Sequence, residues 1–299
     1  MIDKRIIIER LFSLVTSFFA MCVVVLTTFI IGLVLINGLD KLTWDFLTLP
    51  PTGTMDGGGI LPIIEGTVML VLLMSLISVP FGTAIALYLN EVSSKGAVYN
   101  YTMSSVRTLA AVPSIVYGLF GLAFFVNIMG GGLDFLFGYE ERVFRERCLL
   151  WAAMTMGVLT LPINIIAVTE ALKMVPQEQR HAGLCFGYTS WEVIKWIVFP
   201  QAKGGILTGL VLSVSRGAGE VAPILFVGVA YFIPNFSGEL LDQFMYLGYH
   251  LYVLATQSPN VDETLPIQYS TTLVLLMLTF GFNSVGQYMR WKNRKKLQR

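Results

Sequence analysis

Two oppositely charged side chains, Arg216 and Glu220, stand four residues apart in the otherwise apolar, glycine-rich stretch R-G-A-G-E-V-A-P. If the stretch continues as a helix, the two lie on one face and can pair. An ionised group at the middle of a membrane helix costs about 2.5–3.5 kcal/mol on insertion scales, so their presence calls for a reason. One reason is structural, a pair that neutralises itself and fixes helix packing. The other is chemical: Arg216 presents a planar guanidinium fork to a passing oxyanion, and Glu220 releases and re-forms the pair. Gly217 and Gly219 permit close backbone approach beside it. Ser114 and Tyr117 follow Pro113 three residues apart, and their neutral hydroxyls could donate to the same anion; Tyr117 could equally be a packing residue.

The remaining side chains exclude most other chemistries. His181 and His250 are the only histidines, and Cys22, Cys148 and Cys185 show no CxxC spacing, so neither a metal centre nor a disulfide framework is encoded. Membrane enzymes cluster Asp, His or Ser at one interface, and no such cluster appears. The glycine runs 57–59 and 130–132 do not lead into GxxxxGK[ST], so they read as turns and not as phosphate loops. No cofactor is expected in this chain, and any nucleotide chemistry belongs to a separate subunit. A net charge of +1 offers no basic surface for nucleic acid.

The elements that must position Arg216 are membrane helices. Charged residues make up 13% of the 299, against about 25% in an ordinary soluble domain, while hydrophobic residues reach 55% and mean hydropathy is +0.70. Apolar runs cover residues 11–36, 66–89, 108–133, 148–169, about 204–233 and 264–289, each long enough for a hydrocarbon core of about 30 Å. The first run is too long for a signal-peptide core and no small-residue cleavage site follows, which predicts a retained helix. Six spans are expected, with Arg216 and Glu220 inside the fifth. The uncharged segment 243–256 is too short for a seventh and is expected to be interfacial or re-entrant on the outer side. Pro80, Pro113, Pro162 and Pro223 fall within apolar runs, where they bend or break a helix.

Of the 20 Lys and Arg residues, 15 fall in segments on one side of these spans, 4 on the other (Lys41, Arg142, Arg145 and Arg147), and Arg216 within. The positive-inside rule places the basic side, with both termini, in the cytoplasm. The outer side carries 11 acids against those 4 bases, among them Asp56, Asp134 and Asp242. Such a face repels a free anion, which favours delivery by a binding protein.

The longest cytoplasmic connection, 170–203, alternates apolar residues such as Leu184, Trp191 and Ile197 with charged ones such as Glu178, Arg180 and Lys195. It reads either as a cap over helix ends or as a helix docked in the groove of a soluble partner. Within it, His181-Ala182-Gly183, Gly187 and Ile197-Val198-Phe199-Pro200 keep the spacing E-A-A-x3-G-x9-I-x-L-P, with His181 for Glu, Gly183 for Ala and Phe199 for Leu. That pattern resembles the cytoplasmic loop signature of ABC importer permeases. Small residues at 182, 183 and 187 would suit a helix seated closely in a partner's cleft. Residues 111–121 (A-V-P-S-I-V-Y-G-L-F-G), 216–223 (R-G-A-G-E-V-A-P) and 59–67 (G-I-L-P-I-I-E-G-T) are similar to stretches of the phosphate-specific permeases, the last to the A-type subunit. The resemblance covers roughly residues 59 to 285.

The resemblance implies an all-α polytopic membrane protein with a type-1 (MetI-like) permease core at 63–290. A first helix and outer loop (1–62) precede it, the coupling loop 170–203 lies within it, and a basic tail (291–299) follows. It implies a subunit of an ATP-driven importer of inorganic phosphate in the bacterial plasma membrane, facing membrane lipid. Its partners would be a homologous C-type permease, two copies of a cytoplasmic ATPase holding ATP and Mg, and an extracytoplasmic phosphate-binding protein. Arg216, Glu220, Ser114 and Tyr117 would line the substrate pathway; His181, Ala182, Gly183, Gly187 and Pro200 would contact the ATPase. Importers of sulfate or molybdate and secondary anion transporters are the alternatives, although Glu220 is the sole centrally placed acid for an ion site.

Overall fold

The computed structural model describes residues 4–52, 57–93, 96–258 and 260–297. Asp56, Lys95 and Arg299, counted among the loop charges, lie outside the described residues. Among those described, secondary structure is helical apart from isolated bridges such as Val229 with Phe244.

In chain order the helices are α1 (Lys4–Leu39), α2 (Trp44–Thr48), α3 (Leu61–Leu87), α4 (Ala97–Ala110), α5 (Ser114–Phe120), α6 (Gly131–Phe137), α7 (Leu149–Lys173), α8 (Gln177–Cys185), α9 (Ser190–Val193), α10 (Phe199–Gly217), α11 (Leu247–Thr256) and α12 (Val261–Leu297). Wider π-type turns extend α3 through Tyr88–Val92 and bridge α5 to α6 and α9 to α10. Six helical units are long and apolar enough to cross a membrane: Ile8–Leu39, Leu61–Val92, Ser114–Phe137, Leu149–Lys173, Ser190–Gly217 and Val261–Asn293.

Two of these units differ from the apolar runs. The third span begins at Ser114, not near residue 108, because Pro113 disfavours helical geometry at Val112; α4 ends at Ala110 as a separate helix. It packs on α7 through buried Met103 and Val106. The fifth span shows the larger shift: it starts at Ser190, within the 170–203 segment, and stops at Gly217, so the apolar run to residue 233 is not one helix. Two glycines, Gly217 and Gly219, weaken its continuation, and the hydroxyl of buried Tyr246 donates to the carbonyls of Gly217 and Ala218 (3.1 and 2.5 Å), satisfying groups that a helix end leaves open. Pro223, expected inside a helix, instead precedes the short 3₁₀ turn Ile224–Phe226.

Two stretches of the irregular chain beyond Gly217, 221–230 and 244–246, survive among apolar helices because the protein itself covers them, while most of 231–243 is exposed. Phe244, Tyr246 and Leu247 are fully buried, and the Leu247 N–H donates to Thr67 Oγ1 at 2.9 Å. The backbone passes so close to α3 that a Cβ on Gly66 would lie 2.2 Å from the Met245 carbonyl oxygen. The 10-residue α11 then follows, about 15 Å long and thus too short to span, packed against α3 and α12.

The core sits where α3, α7 and α10 meet. Met74, Trp151, Ala152 and Met156 are fully buried there. Asn164 Nδ2 donates to the Ser78 carbonyl at 3.0 Å, two residues before Pro80, so a side chain from α7 satisfies backbone near the break in the α3 ladder. By contrast α1 touches the rest through α12, where Ser270 Oγ donates to the Gly38 carbonyl at 2.8 Å. Its apolar sides, Phe12, Phe18 and Phe29 among them, stay exposed to lipid or to another subunit.

Candidate functional site

Arg216 occupies the last turn of α10, where a cation complements the carbonyl end of the helix dipole. Glu220 does not share that helix. It lies just beyond the helix end, after the turn residues Ala218 and Gly219, and its Oε1 comes within 3.4 Å of Arg216 Nε. The pair expected from spacing is therefore present, by a different route. It is a loose pair: Nε is buried and makes no hydrogen bond in this geometry, while the two side chains remain 33% and 25% exposed. A guanidinium held by one long contact and partly open keeps donors to offer elsewhere.

The third span forms the neighbouring wall. Gly118 lies against the 218–226 segment, where a Cβ would come 2.7 Å from the Pro223 carbonyl oxygen. Tyr117 is buried and within electrostatic reach of Arg216. Its hydroxyl, however, donates to the Leu109 carbonyl at 2.8 Å, which ties α5 to the end of α4. The expectation that this proton serves an anion is corrected accordingly: it is already engaged by the backbone. Ser114 sits at the first position of α5 and is half-buried. Tyr246, which caps α10 and lies within electrostatic reach of Glu220, is a member of this site that the sequence reading missed. The short uncharged segment around it was the available signal.

At the basic end, α8 and the turn after it project from the bundle. Small residues there do not all form an outer contact face, contrary to the sequence expectation. Gly183 is buried toward its own chain, where a Cβ would lie 2.6 Å from Ile197 Cδ1 and 3.0 Å from Val193 Cγ2. Gly187 has φ of +85°, the left-handed geometry that ends α8 and that an L side chain resists. His181 and Ala182 are exposed, and Pro200 sits inside the continuous fifth span just after the π-type turns Ile194–Val198, where it interrupts the backbone ladder. The outward face is aromatic: Phe186 is 85% exposed, and Leu184, Tyr188 and Trp191 are exposed around it. Thr189 and Glu192 form a capping box that fixes the start of α9 beside this knob.

A buried ion pair, also missed from sequence, anchors α8. Arg180 donates from Nη2 and Nε to the two Glu91 carboxylate oxygens at 2.9 and 3.1 Å. At the opposite end, Asp134 is buried and accepts the backbone N–H groups of Phe144 (2.7 Å) and Arg145 (3.0 Å). One of the outer acids is thereby engaged in folding a loop and contributes less to the repulsive field than the count of charges implies.

The family described as "Binding-protein-dependent transport system inner membrane component" matches residues 78–290. The chain is 28% identical over 217 residues to the probable ABC transporter permease protein YqgI of Bacillus subtilis, covering 72% of this chain and 69% of that protein. It is 29% identical over 267 residues to the phosphate transport system permease protein PstA of Mycobacterium leprae, covering 88% and 82%. Among solved structures, the bacterial alginate ABC transporter in complex with an alginate pentasaccharide-bound periplasmic protein aligns with a TM-score of 0.65 at 16% identity, over 94% of this chain and 93% of that one. The inward-facing MetNI methionine ABC transporter aligns with a TM-score of 0.55 at 16% identity, over 77% and 95%. At such identities these two establish a shared fold.

Proposed function

The chain belongs to the family of binding-protein-dependent transport system inner membrane components, and from that premise we propose that it is the A-type permease subunit of an ATP-driven importer of inorganic phosphate. The observation that carries this reading is the loose, partly open Arg216–Glu220 pair at the broken end of the fifth span. A partly exposed arginine whose counterion can be exchanged suits a phosphate oxyanion, which accepts the same forked donors as a carboxylate. The phosphate permeases among the relatives support the choice of substrate.

In this reading the first helix flanks a core at 63–290, and a homologous C-type permease completes the pathway. Two cytoplasmic ATPase subunits, which hold ATP and Mg, grip the knob around Phe186, and an extracytoplasmic phosphate-binding protein delivers the anion. The basic end with both termini faces the cytoplasm of a bacterium, by the positive-inside rule. ATP binding closes the ATPase pair, α8 moves with it, and the two permeases expose Arg216 alternately to either side. This chain hydrolyses nothing. The test is uptake by the assembled importer in proteoliposomes with competing oxyanions. Phosphate import resistant to a hundredfold excess of sulfate or molybdate is expected; import abolished by either would transfer the assignment to that anion.

A further inference from the structure

We propose that the Glu91–Arg180 pair is the joint through which movement of α8 reaches the second and fourth spans, so that both side chains are positioning residues for transport. The inference rests on the reading of this chain as an ATP-driven permease.

The geometry is unusually complete for one guanidinium. Besides the two bonds to Glu91, Arg180 donates to the Leu172 carbonyl at 2.9 Å and to the Val175 carbonyl. Arg180 belongs to α8, Leu172 to the last turn of α7, and Glu91 to the π-type extension of α3. One side chain thus holds the end of the second span, the end of the fourth span and the projecting helix together. The side chains are only 12% and 7% exposed, so water does little to screen or replace these bonds. Asn90, next to Glu91, donates to Thr169 Oγ1 on α7 at 3.3 Å and braces the same corner.

Burial of two charges is a poor way to gain stability, since well-packed apolar side chains of similar volume commonly do as well. What a bidentate pair adds is a fixed distance and orientation. Further contacts of α8 reach the α9–α10 unit: Gly183 packs on Val193 and Ile197, and Gln179 accepts a hydrogen bond from Gln201. Without the pair, α8 would reach the second span only indirectly, through the short 174–176 link to the fourth span and through its packing on the fifth. With it, the second span moves as well, and that span reaches the candidate site, because Met74 packs on the Gly217 backbone, where a Cβ would come within 2.1 Å of Met74 Cε. Gly217 adjoins Arg216. Close-packed helices transmit such displacement with little compression.

The test uses the complete importer in proteoliposomes, with Arg180→Gln, Glu91→Gln and the double variant, measuring phosphate imported per ATP hydrolysed together with yield and thermal midpoint of the complex. Each single variant should lower the import-to-hydrolysis ratio about tenfold or more, the scale of losing one buried charge-assisted network. The double variant should be no worse than the poorer single, as two residues acting as a unit require. Because it leaves no orphaned charge, the double variant should assemble even where a single one folds poorly. A wild-type ratio in an assembled double variant would overturn the proposal. So would a ratio that falls only in step with yield and thermal midpoint, which would mark the pair as structural. Failure of the functional reading has its own signature: a wild-type complex that imports no phosphate on ATP.

Discussion

Replacing Arg216 by Gln removes the fixed charge while keeping a polar side chain of similar reach. Two unit charges 3.4 Å apart, the separation to Glu220, interact by about 1.2 kcal/mol in water and about 5 kcal/mol at an effective dielectric of 20. With a third and a quarter of the two side chains open to solvent, the value lies between those limits. An oxyanion replacing Glu220 at similar range gains the same order of energy per charge. Losing at least about 1.4 kcal/mol per charge slows passage about tenfold for a monoanion and about a hundredfold for a dianion. Uptake of radiolabelled phosphate by the assembled importer, normalised to the amount of complex, measures this directly. Arg216→Gln should lose ten- to a hundredfold or more while inserting and assembling normally, and Arg216→Lys, which keeps the charge without the fork, should fall between. Uptake by Arg216→Gln at the wild-type rate would refute the anion role and leave the pair a packing device.

Other substitutions probe other parts of the account. Phe186→Ala should leave the thermal midpoint of the isolated chain within about 1–2 °C, because the side chain is 85% exposed, yet weaken ATPase association about tenfold or more in a pull-down titration. Gly66→Ala sets a Cβ against the Met245 carbonyl and should destabilise the fold by about 1–3 kcal/mol, read by thermal unfolding in detergent. Tyr246→Phe deprives the Gly217 and Ala218 carbonyls of their donor and should cost about 1–3 kcal/mol in the same assay. A membrane-impermeant thiol reagent should reach a single cysteine placed at Lys292 only after the cytoplasmic face is opened; labelling of intact cells would reverse the orientation.

Much of the bundle is legible from the sequence because a hydrocarbon core imposes a length, and runs such as 148–169 meet it with little interruption. The limits are equally physical. Residues 221–230 are apolar because protein covers them, and burial in protein selects the same side chains as burial in lipid, so hydropathy cannot tell this part of the excursion from a helix. Its markers were local: Gly217, Gly219 and Pro223 stand where α10 ends and the chain turns. Pro113 likewise separates α4 from α5 inside an unbroken apolar run. At the site, the four-residue spacing gave the Arg216–Glu220 pair, although Glu220 lies beyond the last residue of α10 and not within one continuous helix. Tyr117 illustrates the reverse, a hydroxyl whose type suited an anion but whose partner, Leu109, depends on the angle at the α4–α5 joint. The link between Glu91 and Arg180 crosses 89 residues and leaves no periodic trace; a lone acid at the rim of the second span was its only hint. Gly183 and Gly187 were recognised by spacing, yet their reasons, internal packing and a positive φ, required the structure.

As a conduit driven from outside itself, the polypeptide should move solute uphill only with its nucleotide-binding partners. Proteoliposomes containing the chain, its permease partner, the ATPase pair and the binding protein should accumulate phosphate against a gradient with ATP inside, and should stop with a non-hydrolysable analogue. Uphill accumulation by the chain without nucleotide, driven by a proton or sodium gradient, would contradict it.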